Sequence, residues 1–151
     1  MSRRFAVFVA AGSLAVTMLA GCASATETYC STLEDEQQQL KELAEGAGEP
    51  NDDIFGETLS VFDELQSEAP DDIVDEWDTL IFALEGLVGA LDDAGLDPGD
   101  YERGRTPDGV PQEQMAAIQA AAEDLDSDEV KEASDGIEQH AIDVCQVDLT
   151  L

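Results

Sequence analysis

Three cysteines, one histidine and a few closely spaced carboxylates are the residues of this 151-residue chain whose types and spacing could do chemistry. The cysteines are Cys22, Cys30 and Cys145, and the histidine is His140. A thiolate is a nucleophile and a metal ligand, and two thiols in an oxidising compartment join. One histidine and two distant cysteines do not complete a zinc site without carboxylate help. His140 lies three residues after Ile137 and four before Val144, at the border of an apolar stripe. That position reads as a packed or surface histidine, with a proton switch as the alternative. Asp124, Asp126 and Asp128 have the first spacings of a calcium loop. The rest of that loop is missing. Glu129 stands where glycine makes the sharp turn, Lys131 where an apolar residue is usual, and Asp135 where a longer glutamate chelates. The segment reads as a solvated helix break. Asp92, Asp93, Asp97, Asp100 and Glu102 crowd a second stretch that could gather around a cation, and it reads as a soluble loop. There is no G-x-S-x-G, no H-E-x-x-H and no glycine-rich phosphate cradle. We therefore expect no catalytic residues, no metal site and no cofactor.

The start of the chain gives Cys22 a different context from the other two. Met1-Ser2-Arg3-Arg4 is short and basic, and residues 5–19, "FAVFVAAGSLAVTML", carry no charge. At about 1.5 Å per residue that run falls short of the roughly 30 Å hydrocarbon core of a bilayer. A basic start, a short apolar centre and small residues at the end make a secretory signal. Arg3-Arg4 raises the twin-arginine route, but Phe5-Ala6 follows where that pattern wants a variable residue and then Phe, so the general secretory route is expected.

Residues 19–22, "LAGC", resemble the lipobox of bacterial lipoproteins at all four positions. The resemblance implies cleavage between Gly21 and Cys22 and a diacylglycerol on the Cys22 sulfur, and in such lipoproteins the new amine is often acylated as well. Acyl chains at roughly 0.8 kcal/mol per buried methylene make a durable anchor when two or more act together. The expected organisation is a lipoprotein signal peptide over 1–21, a lipidated tether over 22–28 and one helical domain over 29–151. The expected place is the extracytoplasmic face of the cell membrane.

Charge narrows the partners. The chain carries 36 acidic against six basic residues, a net charge of −30. Removing residues 1–21 takes away Arg3 and Arg4 and no acid, leaving Lys41, Arg103, Arg105 and Lys131 as the basic residues. Nucleic acid is excluded as a partner, because phosphate neutralisation needs clustered Lys and Arg. Direct contact with anionic headgroups is disfavoured for the same reason. Disorder is the other reading of such acidity, but 43% of the residues are apolar and they recur at helical spacing.

These elements must position whatever the protein binds. Cys30, Leu33, Leu40 and Leu43, with Gln37 between, mark a first helix from about Tyr29, with Ser31 and Glu34 as a candidate capping box, and Gly46, Gly48 and Pro50 end it. The second runs from Asn51, a good N-cap, to Ala69, with Ile54, Phe55, Leu59, Phe62 and Leu65 on its apolar face. Pro70-Asp71-Asp72 opens the strongest pattern, in which Ile73, Trp77, Leu80, Leu84, Leu87 and Leu91 alternate steps of four and three. Val74, Ile81 and Val88 widen that stripe, and Gly95 ends it. Residues 96–111, rich in proline and glycine, form the longest connection. The fourth pattern runs from Pro111 through Met115, Ile118, Ala122 and Leu125. Residues 126–129, "DSDE", interrupt it near Ser127, and it resumes through Val130, Ala133, Ile137, Ala141 and Val144. The fold expected is all-α, an up-down-up-down four-helix bundle with a kinked or split fourth helix.

In that topology Cys30 opens the first helix and Cys145 closes the last, so the two ends are neighbours. A secreted chain with an even pair then reads as a disulfide, Cys30–Cys145, which closes a loop over nearly the whole domain and stabilises it by about 5 kcal/mol. The pieces "YC" at 29–30, "EAPDDIVDEW" at 68–77 and "IEQHAIDVC" at 137–145 resemble a group of small helical lipoproteins from actinobacteria. That resemblance implies the same fold, anchoring and disulfide, and no catalytic residues. The functional expectation is a non-enzymatic binding or interaction module with a strongly acidic surface. It is held to the membrane through lipid on Cys22, and its partner is a cationic protein segment or diffusely bound divalent cations. The alternative is a carrier of an apolar small molecule in a cavity lined by Phe55, Phe62, Trp77 and Leu84.

Overall fold

A computed structural model describes residues 24–46, 54–97, 109–149 and 151. They form α1 (Ala25–Gly46), α2 (Ile54–Glu68), α3 (Val74–Ala94), α4 (Gln112–Leu125) and α5 (Asp128–His140), and α5 runs on into a π turn at Ala141–Cys145. No strand occurs among the described residues. α1 packs on α2, α2 on α3, and α3 on both α4 and α5, while the π turn closes against α1. The protein is therefore all-α, a four-helix bundle whose fourth member is split into α4 and α5.

Local chemistry sets the helix ends. Ser24 and Glu27 form a reciprocal capping box: the Ser24 amide donates to Glu27 Oε2 at 2.9 Å and the Glu27 amide donates to Ser24 Oγ at 3.2 Å. The helix thus begins two turns before the Ser31–Glu34 pair, and Ala25–Thr28 of the expected tether are helical. The first turn of α2 expected at 51–53 lies outside the described residues. Gly95 stops α3 in the left-handed conformation at φ 67°, where its amide bonds the Asp92 carbonyl at 2.9 Å and the Leu96 amide bonds the Leu91 carbonyl at 3.0 Å. The break in the fourth helix is capped by Ser127, whose hydroxyl accepts from the Val130 amide at 3.3 Å. The cap falls at the interruption expected near Ser127. Lys131 holds Asp126 itself, 3.1 Å from its carboxylate.

α3 is the axis. Ile73, Trp77, Leu80, Leu84, Leu87 and Leu91 are all buried, as the four-three stepping predicts. Around its first half, Tyr29, Leu33 and Leu40 of α1, Val61 and Leu65 of α2, and Val130, Ile137 and Ala141 form the main core. Around its second half, Leu87 and Leu91 meet Met115 and Ile118 of α4, with Phe55 packed against them. Three faces differ in detail from the pattern. On α1 the buried edge is Tyr29 rather than Cys30, on α2 Val61 is buried while Phe62 is half-buried, and after α5 the wider π turn at Ala141–Cys145 buries Cys145 and leaves Val144 46% exposed. α5 comes close to α3 at Gly136, where an added Cβ would lie 3.3 Å from Glu76 Cγ.

The Cys30–Cys145 disulfide is present, with Cα atoms 5.1 Å apart and a separation of 115 residues. Beyond it the chain turns back. Gln146 takes a left-handed φ of 60°, and the Val147 amide donates to the Ala141 carbonyl at 2.9 Å. Val147 and Leu149 are then buried in the main core. Gln37 Nε2 donates to the Asp148 carbonyl at 2.6 Å, and the Leu151 amide donates to Glu138 Oε1 at 2.8 Å.

Candidate functional site

Next to the disulfide, one aromatic layer joins four helices. Trp77 of α3 is fully buried and its Nε1 donates to the hydroxyl of fully buried Tyr29 of α1 at 3.0 Å. Phe62 of α2 meets the Trp77 ring edge to face at 5.3 Å, and His140 at the end of α5 meets the Tyr29 ring at 5.6 Å. Burial raises the Tyr29 phenol above its ordinary value, against the opposing pull of the Trp77 hydrogen bond. The His140 side chain is 9% exposed. Its Nδ1 is buried without a hydrogen-bond partner, and its Nε2 lies 4.0 Å from Asp72, beyond hydrogen-bond distance. The imidazole is a packed histidine at the core border.

The carboxylates lie outside this layer. No charged side chain is buried among the described residues. Asp124, Asp126 and Asp128 are exposed on the α4–α5 break, and Asp92, Asp93 and Asp97 are exposed at the end of α3. Asp100 and Glu102 of that stretch, with Tyr101, Arg103 and Arg105, lie outside the described residues. Among the described residues no group of three or more His, Cys, Asp or Glu is arranged to hold a metal ion. The two lysines there are both next to acids: Lys131 bonds Asp126, and Lys41 lies 3.9 Å from Glu45 one turn on. The described surface is therefore negative with little internal neutralisation.

None of the described depressions is lined by Phe55, Phe62, Trp77 or Leu84. Phe62 and Trp77 pack together in the aromatic layer, Leu84 is buried along α3, and Phe55 packs against the α3–α4 cluster. The surface depressions lie elsewhere. A groove of about 740 Å³ crosses the outer face of α3, from Gln66 of α2 to Ala121, Ser127 and Val130 at the α4–α5 break. A second, of about 880 Å³, runs between α1 and the returning C-terminal segment, lined by Glu34, Lys41, Asp148 and Leu149. A third lies beside the disulfide. The first is set apart by Phe82, which is 78% exposed, the most exposed large apolar side chain described. No sequence pattern singled Phe82 out, although it falls off the four-three stripe of α3 and so had to face outward.

Cys22 and Gly21 lie outside the described residues, three and four positions before α1. No described helix is long and apolar enough to cross a membrane. No family model matches the chain, and neither a curated protein nor a solved structure matches it.

Proposed function

We propose that this protein is a membrane-anchored, extracytoplasmic lipoprotein: a non-enzymatic interaction module that presents a strongly acidic helical body to a cationic protein segment. The observation that carries the reading is the charge distribution. Every described carboxylate is outside the core, and both described lysines are already paired with acids. Such a surface concentrates cations and steers a basic partner toward it. Divalent cations would share this field diffusely, without a chelating site.

The anchor follows from "LAGC" at 19–22, with cleavage between Gly21 and Cys22 and a diacylglycerol and palmitate on Cys22. α1 begins at Ala25, so the lipid would sit close to the N-terminal end of α1 and the disulfide. The ends of α1 and α3 that lead into 47–53 and 98–108 would then face away from the bilayer. A body this acidic is repelled by anionic headgroups, so the lipid alone would hold it.

Two measurements test this. Cys22→Ala should move the protein from the membrane to the soluble fraction, and continued membrane fractionation would remove the anchor from the proposal. The full chain should bind a lysine-rich peptide with an affinity that falls steeply as salt is raised, and should ignore a neutral peptide of the same length. No binding at low ionic strength would refute the acidic-surface reading.

A further inference from the structure

We infer that the groove across α3 docks a basic amphipathic segment of a partner protein, with an apolar side chain seated against Phe82 and lysines or arginines facing the acidic rim. This rests on the acidic-surface reading above and locates the site. Three observations converge on it. Phe82 stands 78% exposed near the middle of α3, and no described residue covers it. An aromatic ring left in water beside a groove is the usual anchor of a protein contact, since aromatics carry much of the binding energy at interfaces. The charged residues lining the groove are Asp78, Glu85, Asp124 and Glu129, all acidic. The nearest described lysine, Lys131, is held by Asp126.

The third observation is Gly86, one turn beyond Phe82. Glycine is the poorest helix former after proline, and inside α3 it relieves no contact within the chain. An added Cβ would meet nothing within 4 Å, and the same holds at Gly89. The missing side chains leave room for the main chain of a second element to approach the α3 backbone beside the ring. This is the arrangement of helix-in-groove recognition, with anchors on one face and charges flanking them.

Charge chooses among occupants. A second copy of the chain would bring an equally strong negative charge against the rim. A bilayer surface with anionic headgroups is repelled by the same four carboxylates, and the groove lies along the flank of the bundle rather than at its lipidated end. A basic segment neutralises the rim and covers the ring together.

The full chain in nonionic micelles, with protein-free micelles as blank, is titrated with three peptides of one length: lysine–leucine amphipathic, lysine–serine of the same charge, and glutamate–leucine. The lysine–leucine peptide should bind at least tenfold more tightly than the lysine–serine peptide, and the glutamate–leucine peptide should not bind. Phe82→Ser, which alters an exposed side chain, and Gly86→Trp, which fills the groove, should each weaken lysine–leucine binding tenfold or more, with unchanged circular dichroism. Equal binding of both lysine peptides, unaffected by either substitution, overturns the docking site and leaves the general acidic reading standing. No binding by any lysine peptide overturns both. Binding of the glutamate–leucine peptide, or a dimer that Phe82→Ser dissociates, replaces the basic partner with an apolar one or a second copy and so refutes the inference.

Discussion

A single phenol ties α1 to α3, and its removal gives the sharpest test of the core. Trp77 Nε1 donates to Tyr29 Oη at 3.0 Å, and both residues are fully buried. Tyr29→Phe keeps the ring and deletes the acceptor, so a buried indole N–H is left without a partner. An orphaned buried donor costs about 1–3 kcal/mol, and complete burial places this one near 2 kcal/mol. For a domain of this size that lowers Tm by roughly 8 °C. Trp77→Phe deletes the donor and leaves a cavity beside Phe62, at a cost of about 3 kcal/mol. The double variant has neither donor nor acceptor, so its loss should fall short of the sum of the two by about 1 kcal/mol. Urea unfolding followed by far-UV circular dichroism measures all four corners of the cycle. pH gives a second readout. Burial holds the folded phenol above its ordinary 10.0, whereas the unfolded phenol ionises at that value. The unfolded state therefore releases a proton that the folded state keeps, and the Tyr29 contribution is complete below pH 10.0 and declines as pH rises toward the folded value. Wild type should lose more stability on this limb than Tyr29→Phe, and Tyr101, common to both, cancels in the difference. A Tyr29→Phe cost under about 0.5 kcal/mol with an additive cycle would refute the reasoning.

Other perturbations should follow the same physics. Reducing the disulfide, or replacing Cys30 and Cys145 with serine, opens a loop of 115 residues and should cost about 5 kcal/mol by urea unfolding. A midpoint that does not move under reductant contradicts this. Leu149→Ala should cost about 2–3 kcal/mol in thermal melting, because Leu149 is buried in the main core. Asp148→Ala should be nearly silent, since Gln37 bonds the main-chain carbonyl there. Gly86→Ala should stabilise α3 by up to about 1 kcal/mol, whereas Gly136→Ala should gain less because its Cβ meets Glu76. Equal gains at the two positions would show that the Glu76 contact gives way freely.

The helices were legible where one local cause acted alone. The four-three stepping of α3 and its stop at Gly95 need only amphipathicity and a left-handed cap, and both are observed. The start of α1 was less legible because Ser24–Glu27 and Ser31–Glu34 carry the same capping spacing. Only the former flanks the first turn, and Ser31 and Glu34 lie within the helix. The break at Ser127 was legible to within a residue. The C-terminal return was missed, although Val147, Leu149 and Leu151 alternate with Gln146 and Asp148 in the two-residue period of an extended segment with one buried side. A run this short shows no burial until there is something to lie against. Phe82 was invisible as a candidate because a lone exposed aromatic on a helix is ordinary. It acquires meaning from Gly86 and the acidic rim brought around it by α4 and α5.

The sequence by itself determined that this chain forms amphipathic helices in a given order, that Cys30 and Cys145 fall at neighbouring ends of a bundle, and that its surface is overwhelmingly acidic. These are consequences of periodicity, caps and net charge, which act over a few residues or over none. The tertiary structure alone decided that Trp77 bonds Tyr29 and that an exposed phenylalanine lies in an acid-rimmed groove. Those facts depend on which faces of separate helices meet. Packing selects one arrangement from many that the same pattern of apolar residues permits.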